Sequence, residues 1–130
     1  MSRTTAASLC CCLLLGCHTE PPPPAPYAPR PVVELARWQA LSGGRHVATV
    51  RQMEIRDPAG AVPFYQILDP QGRLLGTSDA QGRFSRRVPF RDDEEPLGVW
   101  SMAQGVAKLA EATAPVELVP VALDADARKH

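Results

Sequence analysis

Few residues in this chain have side chains suited to chemistry, and their placement is restrictive. The four thiols are Cys10, Cys11, Cys12 and Cys17, and beyond Cys17 there is none. That excludes a disulfide framework, a Cys-based zinc site or a redox pair from the rest of the chain. The three histidines are His18, in a Pro-rich stretch, His46, and His130, the last residue. Only His46 is placed to serve a fixed site. A nucleophilic site would join it to Ser42, Ser78, Ser85 or Ser101 and a buried Asp, because the nucleophile needs a base that a third group orients. None of these serines stands in a nucleophile-elbow pattern, and His46 reads as a surface residue opening a strand. The run Asp92-Asp93-Glu94-Glu95 offers oxygen ligands. Ca²⁺ takes roughly six to eight oxygens, and consecutive carboxylates cannot all face one ion. With Arg86, Arg87 and Arg91 alongside, this is expected to be a solvated charged loop. There is no Gly-rich phosphate loop. Fourteen basic residues balance fourteen acidic ones, and the arginines lack interleaved aromatics, so nucleic-acid binding is unsupported. The expectation is a protein without catalytic residues, cofactor or metal.

Cys17 differs from the other thiols in its neighbours. Arg3 is the only charge before Glu20, and residues 6–15 form an apolar run in which Cys10, Cys11 and Cys12 act as hydrophobic filler. About ten residues is too short to span a hydrocarbon core, which needs roughly 20. A basic start, a short apolar run and a small residue before a cut site fit a secretory signal peptide. Leu14-Leu15-Gly16-Cys17 resembles the lipobox of bacterial lipoproteins. The resemblance implies cleavage between Gly16 and Cys17, a diacylglycerol on the Cys17 sulfur, and a palmitate-type chain on the new amine. Several acyl chains hold a protein on a membrane far more firmly than one. His18, rather than Asp, follows the cysteine, which by the same resemblance leans toward the outer membrane. The competing reading, an ordinary thiol of the apolar run, fits less well because Pro-rich sequence follows at once.

These residues need elements to position them. Residues 1–16 are read as the signal peptide and 17–31 as the lipidated cysteine with a tether. Pro presets φ and lacks an N–H, so the tether favours extended polyproline II reaching up to roughly 40 Å. Residues 32–45 are read as a short helix or a leading strand. Val32, Leu35, Trp38 and Leu41 have helical spacing before Ser42-Gly43-Gly44, which tips the balance slightly to helix; a strand with a Gly-Gly turn is the alternative.

Residues 46–123 carry three turn signals: Asp57-Pro58-Ala59-Gly60, Asp69-Pro70-Gln71-Gly72 and Asp79-Ala80-Gln81-Gly82. Asp first, Pro second and Gly fourth suit a type I turn joining antiparallel strands. Strands are expected over His46–Arg56, Val62–Leu68, Arg73–Ser78, Arg83–Phe90, Leu97–Ala103, Val106–Ala110 and Pro115–Leu123. The fold class is therefore all-β, a small antiparallel sandwich of about seven strands. Pro89 and Pro120 belong on edges or bulges. Most of Phe64, Ile67, Leu75, Phe84, Val99, Trp100 and Leu118 should be buried. Residues 124–130 are read as a frayed, disordered tail.

The turn series, followed by Gln104-Gly105-Val106-Ala107 and Pro115–Pro120, resembles the carboxypeptidase regulatory-like domain. That resemblance implies a transthyretin-like sandwich that accompanies catalytic domains without being catalytic. The functional expectation is a membrane-anchored envelope lipoprotein presenting a binding or structural module to a protein or glycan, by its loops or by an edge strand. The alternative is an accessory lipoprotein of a secretion or surface machine, and an enzyme is a distant third.

Overall fold

The computed structural model describes residues 21–23 and 30–123. These contain seven strands and one helix. The elements are β1 (Val32–Ser42), β2 (Arg45–Asp57), β3 (Gly60–Leu68), β4 (Leu74–Asp79), β5 (Arg83–Arg87), β6 (Glu94–Val99), α1 (Met102–Leu109) and β7 (Val116–Val121). The class is all-β. The seven strands are hydrogen-bonded in the order β6-β5-β4-β3-β2-β1-β7, antiparallel at every step. This is compatible with the sandwich expected from the turn spacing. The edge strands β6 and β7 carry Pro96 and Pro120, where a missing N–H costs no ladder bond.

Two expectations are corrected. Residues 32–42 form the leading strand of the two alternatives, not the slightly favoured helix. Ser42 pairs with Arg45 across Gly43 and Gly44, whose φ values of 57° and 77° suit the twist of a two-residue hairpin. The helical spacing arises from a bulge. Glu34 pairs with Met53 and Ala36 with Gln52, leaving Leu35 as an extra residue. A bulge shifts the two-residue alternation by one position, so the apolar residues of β1 lose strict strand periodicity.

The second correction concerns the expected strands Leu97–Ala103 and Val106–Ala110. β6 ends at Val99, and 102–109 is helix α1. The Ser101 hydroxyl accepts from the Gln104 amide at 3.3 Å, and the Ser101 amide donates back to Gln104 Oε1 at 3.5 Å. This capping box satisfies two donors that a helix start leaves open. Val106 and Leu109, three apart, are buried. Gln104-Gly105-Val106-Ala107 therefore lies in a helix, not in the strand that the family resemblance implies.

Helix α1 covers one face of the sheet. The core comprises Ala40, Ala48, Val50, Ile67, Phe84, Val106 and Leu109. The helix docks over two glycines. A Cβ on Gly105 would collide with the Phe84 ring, and a Cβ on Gly76 would meet Ser85 O and, at 2.8 Å, Leu109 Cδ2. Of the residues expected inside, Ile67 and Phe84 are buried, and Leu75, Trp100 and Leu118 pack around them half-buried. Phe64 is also half-buried. Val99 is 67% exposed, because it pairs with Arg83 on the edge strand.

Antiparallel order fixes two poles. The proximal pole holds the start of β1 and the 57–60 and 79–83 turns. The distal pole holds the 68–74 and 87–94 loops and the end of α1.

Candidate functional site

The distal pole carries an open recess of about 700 Å³. Its apolar lining includes Leu74, Leu75 and Leu109, with Phe90 on one wall, and its charged lining is Arg73, Arg86, Arg87, Asp69 and Glu111. Each wall has a local cause. The first is the 69–73 turn. Asp69 Oδ1 accepts from the Gln71 and Arg73 amides at 2.9 and 2.8 Å, and Oδ2 accepts from Arg73 Nε at 2.9 Å. Gly72 takes φ 86° and donates to Asp69 O at 2.9 Å. The Arg73 amide and side chain hold the Asp69 carboxyl below its usual range, against the opposing effect of burial.

The second wall is the end of α1. Arg86 Nη2 donates to Lys108 O at 3.1 Å, a carbonyl at the helix terminus that also accepts from the Glu111 amide at 3.4 Å. The chain then turns through Glu111 at φ 53°. The third wall is the 88–93 loop, where Arg91 donates to Val88 O at 3.3 Å. This loop holds Phe90 at φ 62° with 107% relative exposure. A left-handed backbone is costly for a residue with a Cβ, and no burial of the ring offsets it.

The 79–83 turn repeats the first device at the proximal pole. Asp79 Oδ1 accepts from the Gln81 and Arg83 amides at 2.9 and 3.0 Å, and Arg83 Nε lies 2.6 Å from Oδ2. The Arg83 amide leads the forces lowering the Asp79 pKa. The 57–60 turn departs from the pair: Asp57 Oδ1 accepts from the Ala59 amide at 3.0 Å, and Oδ2 meets Arg30 at 2.9 Å. The Arg56 amide also donates to Pro31 O at 2.9 Å. The entry of β1 is thus fastened to the proximal pole.

A second polar feature lies on the sheet face away from α1. Arg37 donates to both Glu34 oxygens at 2.7 and 2.9 Å, and Arg51 donates to Glu34 Oε2 at 2.8 Å and to Gln66 at 3.3 Å. Residues 34 and 37 would face opposite sides of a regular strand. The Leu35 bulge puts them on one side. Burial pushes the Glu34 pKa up, but hydrogen bonds from Arg37 and Arg51 bring it below its ordinary value.

The residues singled out by chemistry are dispersed. His46 is exposed, with Nε2 3.1 Å from Thr49 Oγ1. Ser42 is buried and donates to Ala114 O at 2.9 Å. Ser78 is buried and donates to Asp79 O at 3.2 Å. Ser85 lies mid-strand opposite Thr77, and Ser101 caps α1. Asp92, Asp93, Glu94 and Glu95 are exposed. Among the described residues, no group of three or more His, Cys, Asp or Glu side chains is gathered as metal ligands. Leu14, Leu15, Gly16 and Cys17 lie outside the described residues, as do His18, His130 and the tail 124–130. Among the described residues no helix is long and apolar enough to cross a membrane.

The recess escaped the sequence reading because its lining comes from three separated loops. The Phe90-Arg91 pair after Pro89 was the available signal. No known protein family matches the chain, and no curated protein or solved structure matches it.

Proposed function

We propose that this chain is a membrane-anchored, non-catalytic lipoprotein of the bacterial cell envelope, outer membrane by preference, presenting its β domain to a partner. The observation that carries the reading is the sequence Leu14-Leu15-Gly16-Cys17 followed at once by a Pro-rich stretch. Two structural features support it. The fold begins at the proximal pole, where Arg30 and Pro31 are tied to β2 and its turn. A tether arriving there leaves the recess at the opposite pole, facing away from the lipid. His46, the one histidine placed to act as a base, is exposed and bonded to Thr49. The kinship to carboxypeptidase regulatory-like, transthyretin-like domains rests on the Asp-x-x-Gly turn series.

The test is metabolic labelling with a radioactive fatty acid, together with fractionation of wild type and Cys17→Ser. Wild type should carry label and sediment with membranes, and Cys17→Ser should lose both label and signal cleavage. Unchanged processing and membrane association of Cys17→Ser would refute the anchor.

A further inference from the structure

We propose that the distal recess is a docking site for a partner protein's short acidic segment, one whose carboxylate stands beside an apolar side chain. The inference deepens the presentation reading, resting on it only for the recess facing away from the membrane.

The recess has two halves that such a segment would need. Leu74, Leu75 and Leu109 provide an apolar floor, able to remove a partner's aliphatic or aromatic side chain from water. Two further lining residues, Arg86 and Arg87, have donors to offer. The Arg87 side chain has no hydrogen bond or ion pair among the described residues, although Glu94 lies across from it in the β5–β6 register. Arg86 donates through Nη2 to Lys108 O, leaving most of its planar fork available. A guanidinium binds a carboxylate through two parallel hydrogen bonds.

Two acids line the recess, Asp69 and Glu111, against three arginines, and Asp69 is not available to compete. Both Asp69 oxygens are occupied within their own turn. That turn also fixes the wall, so little of it has to be ordered on binding. Phe90 completes the site. It is fully exposed on a left-handed backbone, a conformation with no return in the isolated chain. Aromatic and Arg side chains grouped around a pocket are the residue types that dominate protein–protein binding. Phe90 beside Arg87 and Arg91 would also suit an anionic lipid surface, which the test separates.

The purified full-length chain is immobilised and used to select from a display library of random short peptides. Peptides carrying Asp or Glu next to an aliphatic or aromatic residue should be enriched, and their affinity should fall as salt is raised. Arg87→Ala and Phe90→Ala should each weaken the selected peptides about tenfold or more, with unchanged circular dichroism. Val62→Ser, at the proximal pole, should leave affinity unchanged. Selected peptides without an acidic–apolar pair would overturn the proposal. So would affinity indifferent to both variants, or Phe90-dependent binding to phosphatidylglycerol vesicles with no peptide enrichment. Fatty-acid labelling of Cys17 is a separate readout, so failure of the anchor and failure of the recess are distinguishable.

Discussion

The two faces of the sheet are held by different physics. On the face under α1, small residues let large ones close: Ala40 and Ala48 are fully buried, Gly105 lets the helix close on Phe84, and Gly76 lets Leu109 of the helix close on β4. Stability there depends on shape, since a close-packed interior registers a change of even one methylene. On the other face, one carboxylate gathers two guanidinium groups. Glu34 is mostly covered, at 13% side-chain exposure, while Arg37 and Arg51 keep 39% and 28%. Partly hydrated ion pairs contribute modestly. The covered face should therefore dominate stability, and the ionic face should govern its response to acid.

The largest effect should come from the covered face. Phe84→Ala removes a side chain that is 1% exposed and is expected to lower the unfolding free energy by about 3–5 kcal/mol, measured by urea denaturation. A loss near 1 kcal/mol would mean that the helix collapses into the gap and the packing is loose. Gly105→Ala comes next. Ala favours a helix over Gly by about 1 kcal/mol, but the new Cβ meets the buried Phe84 ring, and overpacking costs about 1–3 kcal/mol. The clash should win, giving a lower melting temperature. Phe84→Leu in the same chain should recover part of the Gly105→Ala loss, because the two sites share one contact.

Glu34→Gln should cost about 1 kcal/mol near neutral pH, since the surrounding pairs remain partly exposed. Its pH signature is sharper. The Glu34 pKa is lowered in the folded chain, so the folded state favours the carboxylate. That stability is present above the unfolded value and is lost as pH falls through the folded pKa. Melting temperature followed below pH 4.5 should drop less steeply for Glu34→Gln than for wild type. Parallel curves would mean that the cluster is not coupled to folding. The smallest effect belongs to Phe90→Ser, whose ring touches solvent on all sides. Its melting temperature should match wild type, as surface substitutions away from special contacts usually do. A marked fall would show that the loop packs in solution.

The turns were the most legible part of the fold. Asp69 and Asp79 each bind the amides two and four residues on, and such local bonds need no knowledge of distant chain. The hairpins they close, β3–β4 and β4–β5, fall where the Asp-x-x-Gly signals place them. The first strand and the helix were misjudged for opposite reasons. In β1, the Leu35 bulge disguised a strand as a helix by spoiling its alternation. In α1, the short apolar runs on either side of Gln104-Gly105 read as two strands, and the Ser101–Gln104 capping box joins them into one helix. Gly at position 105 is explained only by Phe84, a residue far away in sequence.

The candidate site divides along the same line. Cys17 stood out because its signal is a contiguous run of side chains. The recess did not, because Leu74, Arg87, Phe90 and Leu109 are separate in sequence and meet only when three loops converge. Sequence alone therefore determined the all-β class, the paired Asp turns and the edge position of Pro120, all set by local backbone preferences, whereas Pro89 lies in the turn after β5. Tertiary structure decided which face α1 covers, where the Leu35 bulge turns Glu34 toward Arg37, and that Phe90 lines one recess with Arg86 and Arg87. Those outcomes depend on long-range packing and register, in which each contact is chosen against every other.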